Sequence, residues 1–109
     1  MNNRDFSWSP REKKIARAAF DKAYKNEMNE IKNELEKKLQ DLKDLQKIWS
    51  IHNYLSKRRK EIDRKYDYRY SVLIIVFGRL LNEGHIEEKD LEGLSIDKIN
   101  AIKALSQAI

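Results

Sequence analysis

The sequence predicts an all-α protein, and three observations carry that prediction. The 109 residues hold a single proline, Pro10, and three glycines, Gly78, Gly84 and Gly93, so residues 11–77 run without either punctuating residue. A β-rich chain of this size needs Gly- and Pro-bearing turns at short intervals. Charged residues make up 38% and hydrophobic residues 40%, a Lys-, Glu-, Leu- and Ile-rich mixture that suits long amphipathic helices. Third, Tyr24, Met28, Ile31, Leu35, Leu42, Leu45 and Trp49 recur in a heptad-like stripe, with one longer gap where Leu39 lies beside the seam.

The first helix opens at Ser9-Pro10-Arg11-Glu12. Ser9 is placed at the N-cap, Pro10 at the first helical position where a missing N–H costs nothing, and Glu12 closes a capping box. Asp21 with Lys25 and Glu34 with Lys38 supply acid-before-base pairs on exposed faces. Run from residue 10 to about 48, this helix would be about 58 Å long. A compact chain of this length has a radius of gyration of only about 13 Å, so the helix overhangs. The remaining residues are too few to cover its stripe, which predicts a homodimer with the long helices packed in antiparallel fashion. Met28, Ile31, Leu35, Leu42, Leu45 and Trp49 are the expected dimer interface.

Near residue 49 the apolar pattern changes phase. Ile48, Ile51, Leu55 and Ile62 point about 145° away from the first stripe. Either the helix breaks near 48–50, or it continues and passes its apolar contact to another neighbour. Along the first direction beyond Trp49 come Asn53, Ser56 and Lys60, with His52 and Arg59 on the boundary. Trp49 is therefore expected at the edge of the buried region, beside a polar, basic strip.

Three further elements complete the chain. Asp67 is the expected N-cap of a helix over residues 70–83, whose Val72–Phe77 run should be its best-buried part. Gly84 is placed just past its end. A short turn spans residues 87–92, and Ser95 caps a last helix reaching about Gln107, with Ile96, Ile99, Ile102 and Leu105 on one face. The expected organisation is a flexible N-terminus over 1–9, a helical dimerisation region over 10–65 and a helical head over 66–109.

Composition excludes several function classes. There is no cysteine, hence no disulfide framework, thiol nucleophile or Cys-based metal site, and a reducing cytoplasm is the expected compartment. Met1–Trp8 lacks an apolar core and the longest apolar run is Val72–Phe77, so neither a signal peptide nor a membrane span is expected. His52 and His85, the only histidines, lack the spacing of a metal motif, so no metal or cofactor is expected and both are read as surface or interface residues. Neither a nucleophile elbow nor a glycine-rich phosphate loop is present, which argues against an enzyme.

Charge is unevenly spread: residues 11–65 hold 17 Lys and Arg against 10 Asp and Glu, and residues 66–109 hold 5 against 7. The run Lys57–Lys65 with Tyr66, Tyr68 and Tyr70 has the makings of a nucleic-acid surface, since cations neutralise phosphate and tyrosines stack on bases. Glu61 and Asp63 interrupt it, which disfavours that reading. A protein-binding reading joins Trp49, Arg58 and Arg59, residue types that anchor interfaces.

The stretch from Trp49 through Ser71, WSIHNYLSKRRKEIDRKYDYRYS, resembles the signature region of the fluorescence recovery protein family. Leu80-Leu81-Asn82-Glu83-Gly84, Asp90-Leu91-Glu92-Gly93-Leu94 and Asp97-Lys98-Ile99 continue the likeness, with a weaker match at Trp8-Ser9, Ala19-Phe20 and Lys22-Ala23-Tyr24. The resemblance implies an all-helical dimer with a helical head. It implies a regulator that binds the light-activated orange carotenoid protein and speeds its return to the resting orange form, ending the quenching of phycobilisome excitation without covalent chemistry. Trp49, His52 and Arg59, with Arg58 beside them, match the family's functional face. Asn53 stands where family members that act on the carotenoid protein usually carry Asp, a loss of negative charge that bears on partner choice.

The expected partner-binding set is therefore Trp49, His52, Asn53, Arg58 and Arg59. A second reading keeps the same dimer as an adaptor for an unknown protein partner, in a host without phycobilisomes. A third is a small basic nucleic-acid-binding dimer.

Overall fold

A computed structural model describes residues 6–109 of the protein. Among them are four α-helices and no β-strand: α1 (Pro10–Gln40), α2 (Ile48–Lys65), α3 (Leu73–Asn82) and α4 (Ile96–Ala108). Short 3-10 turns lie at Leu45–Lys47 and Glu88–Leu91. The molecule measures 53 × 27 × 23 Å with a radius of gyration of 16.9 Å, against the roughly 13 Å of a compact chain of this length. Among the described residues, no helix is long and apolar enough to cross a membrane.

The capping box at the start of α1 forms as expected. Ser9 Oγ accepts from the Glu12 amide and Glu12 Oε1 accepts from the Ser9 amide, each at 3.1 Å. The helix then ends at Gln40 rather than near 48, which shortens it to about 46 Å. Two aspartates account for the earlier stop. Asp41 occupies the C-cap, its amide donating to the Lys37 carbonyl, and the Asp44 carboxylate accepts from the Gln46 amide at 3.0 Å. The Asp44 side chain competes in this way for a backbone group that a continuing helix would use, while Asp41 closes the last helical bond.

The chain reverses there, and α2 runs back antiparallel to α1. Near the turn the Lys38 ammonium lies 4.7 Å from the centre of the Tyr54 ring; at the other end the Tyr24 and Tyr66 rings meet edge to face at 5.3 Å. The second apolar stripe explains the reversal: Ile62 is buried and Ile51 and Leu55 are half-buried, facing α1. The overhanging helix is thus covered on one flank by its own chain.

Both ends of the chain build the head. Trp8, Ala16, Ala19, Phe20 and Ala23 from the N-terminal side share one core with Leu73, Val76, Phe77, Leu80, Ile86, Leu91, Leu94 and Ile102. The 65/66 boundary therefore marks a change of chain direction and does not divide the core. Residues 1–5 of the stretch expected to be flexible lie outside the described residues. Residues 6–9 are instead held in place: Lys98 Nζ donates to the Ser7 carbonyl at 2.7 Å and sits 4.9 Å over the buried Trp8 ring.

Helix α3 begins at Leu73, later than expected, because Asp67 gives its carboxylate to Arg69 at 2.6 Å instead of capping a helix. It ends as expected. Gly84 has φ +80°, its amide donates to the Leu81 carbonyl at 3.2 Å, and the His85 amide donates to Leu80 at 2.9 Å, which is the Schellman pattern. Ser95 caps α4 through the Lys98 amide. Two inward assignments are corrected: Ile75 and Ile96 are 61% and 69% exposed. A ten-residue helix in a two-layer head has an outer face, and Ile75 lies on it; Ile96 sits at the first position of α4, beyond the packed surface.

Candidate functional site

Helix α2 carries the residues expected to bind a partner, and its 3.6-residue repeat sorts them. Counted at 100° per residue, Trp49, His52, Asn53 and Arg59 fall within about 120° of one another, and all four are exposed. Trp49 is 65% exposed, an unusual position for an indole. The Arg59 Nε lies 3.2 Å from Asp63 Oδ2 on the same outer surface. Arg58 is different. It falls half a turn from Trp49 and points inward, with Nη2 2.8 Å from Glu27 Oε2 and Nη1 2.7 Å from Glu61 Oε1.

Apolar surface surrounds this face. Leu39, Leu45 and Ile48 are 53%, 74% and 45% exposed at the α1–α2 turn. Further along, a cleft of about 550 Å³ between the two helices is lined by Tyr24, Met28, Ile31, Leu55 and Ile62 and rimmed by Arg58, Arg59 and Asp63. Of the six residues expected at a dimer interface, Ile31 is buried against α2, Leu35 and Leu42 are half-buried, and Met28, Leu45 and Trp49 face solvent.

Where α1, α2 and α3 converge, the structure assembles a cluster that sequence reasoning missed. Glu27 is fully buried, and its carboxylate accepts from Lys65 Nζ at 2.7 Å, Arg58 Nη2 at 2.8 Å and the Tyr66 hydroxyl at 2.8 Å. Lys65 Nζ also donates to Glu83 Oε1 at 2.6 Å. Burial alone would push the Glu27 carboxyl up, but the Lys65, Tyr66 and Arg58 donors outweigh it and hold the group below the usual carboxylate range. Burial, then the adjoining Glu27 carboxylate, drive the Tyr66 hydroxyl well above its ordinary value.

His85 belongs to this cluster and not to the surface: Nε2 is 3.3 Å from both Glu27 Oε1 and Glu83 Oε1, and Nδ1 is 3.2 Å from Glu30 Oε2. Glu27, Glu83 and His85 bring potential ligand atoms within 4.8 Å of one another. The Lys65 ammonium, between the two carboxylates, already supplies the cation there. One signal was available in sequence. Ala16, Ala19, Phe20, Ala23, Glu27 and Ile31 recur at helical spacing and form the buried face of α1, but the alanines are too small to register as an apolar stripe.

The tyrosines after α2 are committed to packing. Tyr66 and Tyr68 meet Phe20 edge to face at 5.4 and 4.8 Å, and Tyr70 lies against Trp8 at 5.7 Å. Arg17 stacks over Tyr68 at 4.5 Å and Lys13 over Tyr70 at 5.0 Å. Tyr66 and Tyr68 are half-buried and Tyr70 lies against Trp8 and Lys13, which weakens the stacking platform of the nucleic-acid reading.

Comparison with known proteins places this arrangement in a family. Residues 8–106 match the family described as photoprotection regulator fluorescence recovery protein. A relative from Synechocystis sp. PCC 6803, the fluorescence recovery protein, is 39% identical over 100 residues, 92% of each chain. The fluorescence recovery protein of Fremyella diplosiphon superposes with a TM-score of 0.87 at 44% identity, covering 93% of this chain and 99% of that one. The Synechocystis structure gives 0.88 at 39% identity over the same shares.

Proposed function

Because the chain belongs to the fluorescence recovery protein family of photoprotection regulators, we propose that it binds the light-activated orange carotenoid protein and accelerates its return to the resting orange form. It acts in the cytoplasm as a homodimer, by binding alone and with no covalent step. Trp49, His52, Asn53 and Arg59 form the contact face, and Arg58 supports it from behind through Glu27. The exposed Leu45, Ile48 and Trp49, with Met28 beside the cleft, are covered by the second protomer or the partner.

The observation that carries this reading is the exposed Trp49 on the same face as Arg59. Trp and Arg anchor interfaces because each brings large contact area together with a polar or charged group, and an indole in water has little to gain until something covers it. A ligand shifts an equilibrium only by its differential affinity. Acceleration further requires that the protein bind the transition state of relaxation more tightly than the activated form, and each tenfold gain in relaxation rate corresponds to about 1.4 kcal/mol of that difference.

The test is the dark relaxation of photoactivated orange carotenoid protein, followed by absorbance, with and without this protein. Faster relaxation is expected. Unchanged relaxation with a folded, dimeric sample would reject the proposal and favour the adaptor reading, to which Asn53 in place of the usual Asp points.

A further inference from the structure

Helix α2 carries a second solvent-facing feature, about one to four turns beyond Trp49 on the side that also bears Asn53. Lys57, Lys60 and Arg64 stand at i, i+3 and i+7 on a single line within about 60° of arc, and all three are exposed. With Asn53, Ser56 and Glu61 they border a shallow depression of about 370 Å³. None of the three cations has a hydrogen-bond or ion-pair partner among the described residues. The other cations of the helix's second half are all satisfied: Arg58 by Glu27 and Glu61, Arg59 by Asp63, Lys65 by Glu27 and Glu83. Both acids of α2 are thereby used, and neither neutralises the stripe.

Like charges one turn apart on a helix repel. The helix macrodipole favours a cation in the last turn, which accounts for Arg64; Lys57 and Lys60 lie farther back, where that effect has faded. We propose that the Lys57–Lys60–Arg64 stripe is an interaction surface for an acidic helix of a protein partner whose carboxylates recur at the same spacing. Three cations over about 10 Å of helix match one such face. A nucleic acid fits less well, because its continuous row of phosphates would run onto Glu61 at the rim and Asp63 beyond it. Such a surface steers the encounter and sets register, while Trp49, at the N-terminal end of the same side, supplies contact area. The inference does not depend on the photoprotective reading.

The experiment uses the full chain and a fluorescein-labelled Glu/Ala-rich helical peptide, with binding read by anisotropy at low and high salt. Binding is expected at low salt, weakened at least about tenfold by Lys57→Gln/Lys60→Gln/Arg64→Gln and lost at high salt. The conservative Lys57→Arg/Lys60→Arg/Arg64→Lys protein retains it. Lys14→Gln/Lys25→Gln/Lys32→Gln removes the same charge from exposed positions of α1 and should leave binding within about twofold, since α1 charges lie outside the contact. Far-UV circular dichroism verifies that each variant is folded. The proposal is overturned if the wild-type protein fails to bind the peptide, if both Gln variants weaken it equally, or if a single-stranded oligonucleotide binds more tightly and displaces it.

Discussion

The two ends of this molecule treat the same kinds of side chain in opposite ways. In the head, Leu73, Phe77, Leu80, Leu91 and Ile102 are fully buried and the charged groups that enter are paired, as Lys98 is with Glu12 at 3.1 Å. In the α1–α2 hairpin, Leu39, Leu45, Ile48 and Trp49 lie in solvent and one helix flank carries three unpaired cations. Ile75, Ile96 and Ile109 aside, the head encloses its large aliphatic side chains, whereas the hairpin leaves Leu39, Leu45, Ile48 and Trp49 in water around a single turn. Between them, the Glu27 cluster ties the hairpin to the head through Arg58, Lys65 and Glu83.

The largest expected effects lie in the head and at the junction. Phe77→Ala empties a fully buried site and should cost about 3–5 kcal/mol in urea unfolding at fixed protomer concentration. Glu27→Ala leaves the buried Lys65 with Glu83 alone and should cost a similar ~3–5 kcal/mol. A loss under about 1 kcal/mol for both would break the contrast between the two ends. Gly93→Ala comes next. A methyl there runs into Ile15 Cδ1 and must adopt φ +100°, at roughly 1–3 kcal/mol.

Acid should act on the head through Glu12. The Ser9 amide first, opposed by partial burial and then aided by the Ser95 amide and Lys98, lowers its carboxyl from 4.5 to about 2. Since the folded value is depressed, the stabilisation is full above pH 4.5 and is lost as pH falls from there towards 2. Glu12→Gln should flatten that part of the stability profile, measured by circular dichroism across the window. An unchanged profile would show that Glu12 does not link pH to folding.

At the hairpin the expected stability effects are small and the association effects are not. Leu45→Ser should change unfolding of the protomer by under about 0.5 kcal/mol yet shift sedimentation velocity towards monomer, because Leu45 is 74% exposed. A large stability loss with unchanged self-association would place Leu45 in the fold instead. Smallest of all, Glu34→Gln breaks a surface pair 3.8 Å long and should cost under about 0.5 kcal/mol.

Much of this was legible in the chain and some of it was not, for identifiable reasons. Helix class, the Ser9 and Ser95 caps and the Gly84 terminus are local matters, decided by residues within five positions of one another. That Asn53 and His52 lie near Trp49 on one side of the helix was legible from helical phase, whereas the 65% exposure of Trp49 was not, because its phase sets it on the apolar stripe. The stop at Gln40 was hidden because Leu42 and Leu45 extend the stripe across a turn made by Asp41 and Asp44. The junction was hidden because Glu27 and Glu83 are 56 positions apart and meet through Lys65 and His85; no local pattern announces a buried charge whose partners come from three elements. Arg58 and Arg59 are adjacent letters, yet only the 100° step between them sends one inward and the other to solvent.

The central claim is that the hairpin recognises and the head supports. Its most direct test is the dark relaxation rate of photoactivated orange carotenoid protein with Trp49→Ala and Arg59→Leu proteins, alongside their far-UV helix signal. Loss of acceleration with full helicity is the predicted result. Acceleration equal to that of the wild-type protein in both variants, or collapse of the helix signal in both, would contradict the assignment of recognition to this face of α2.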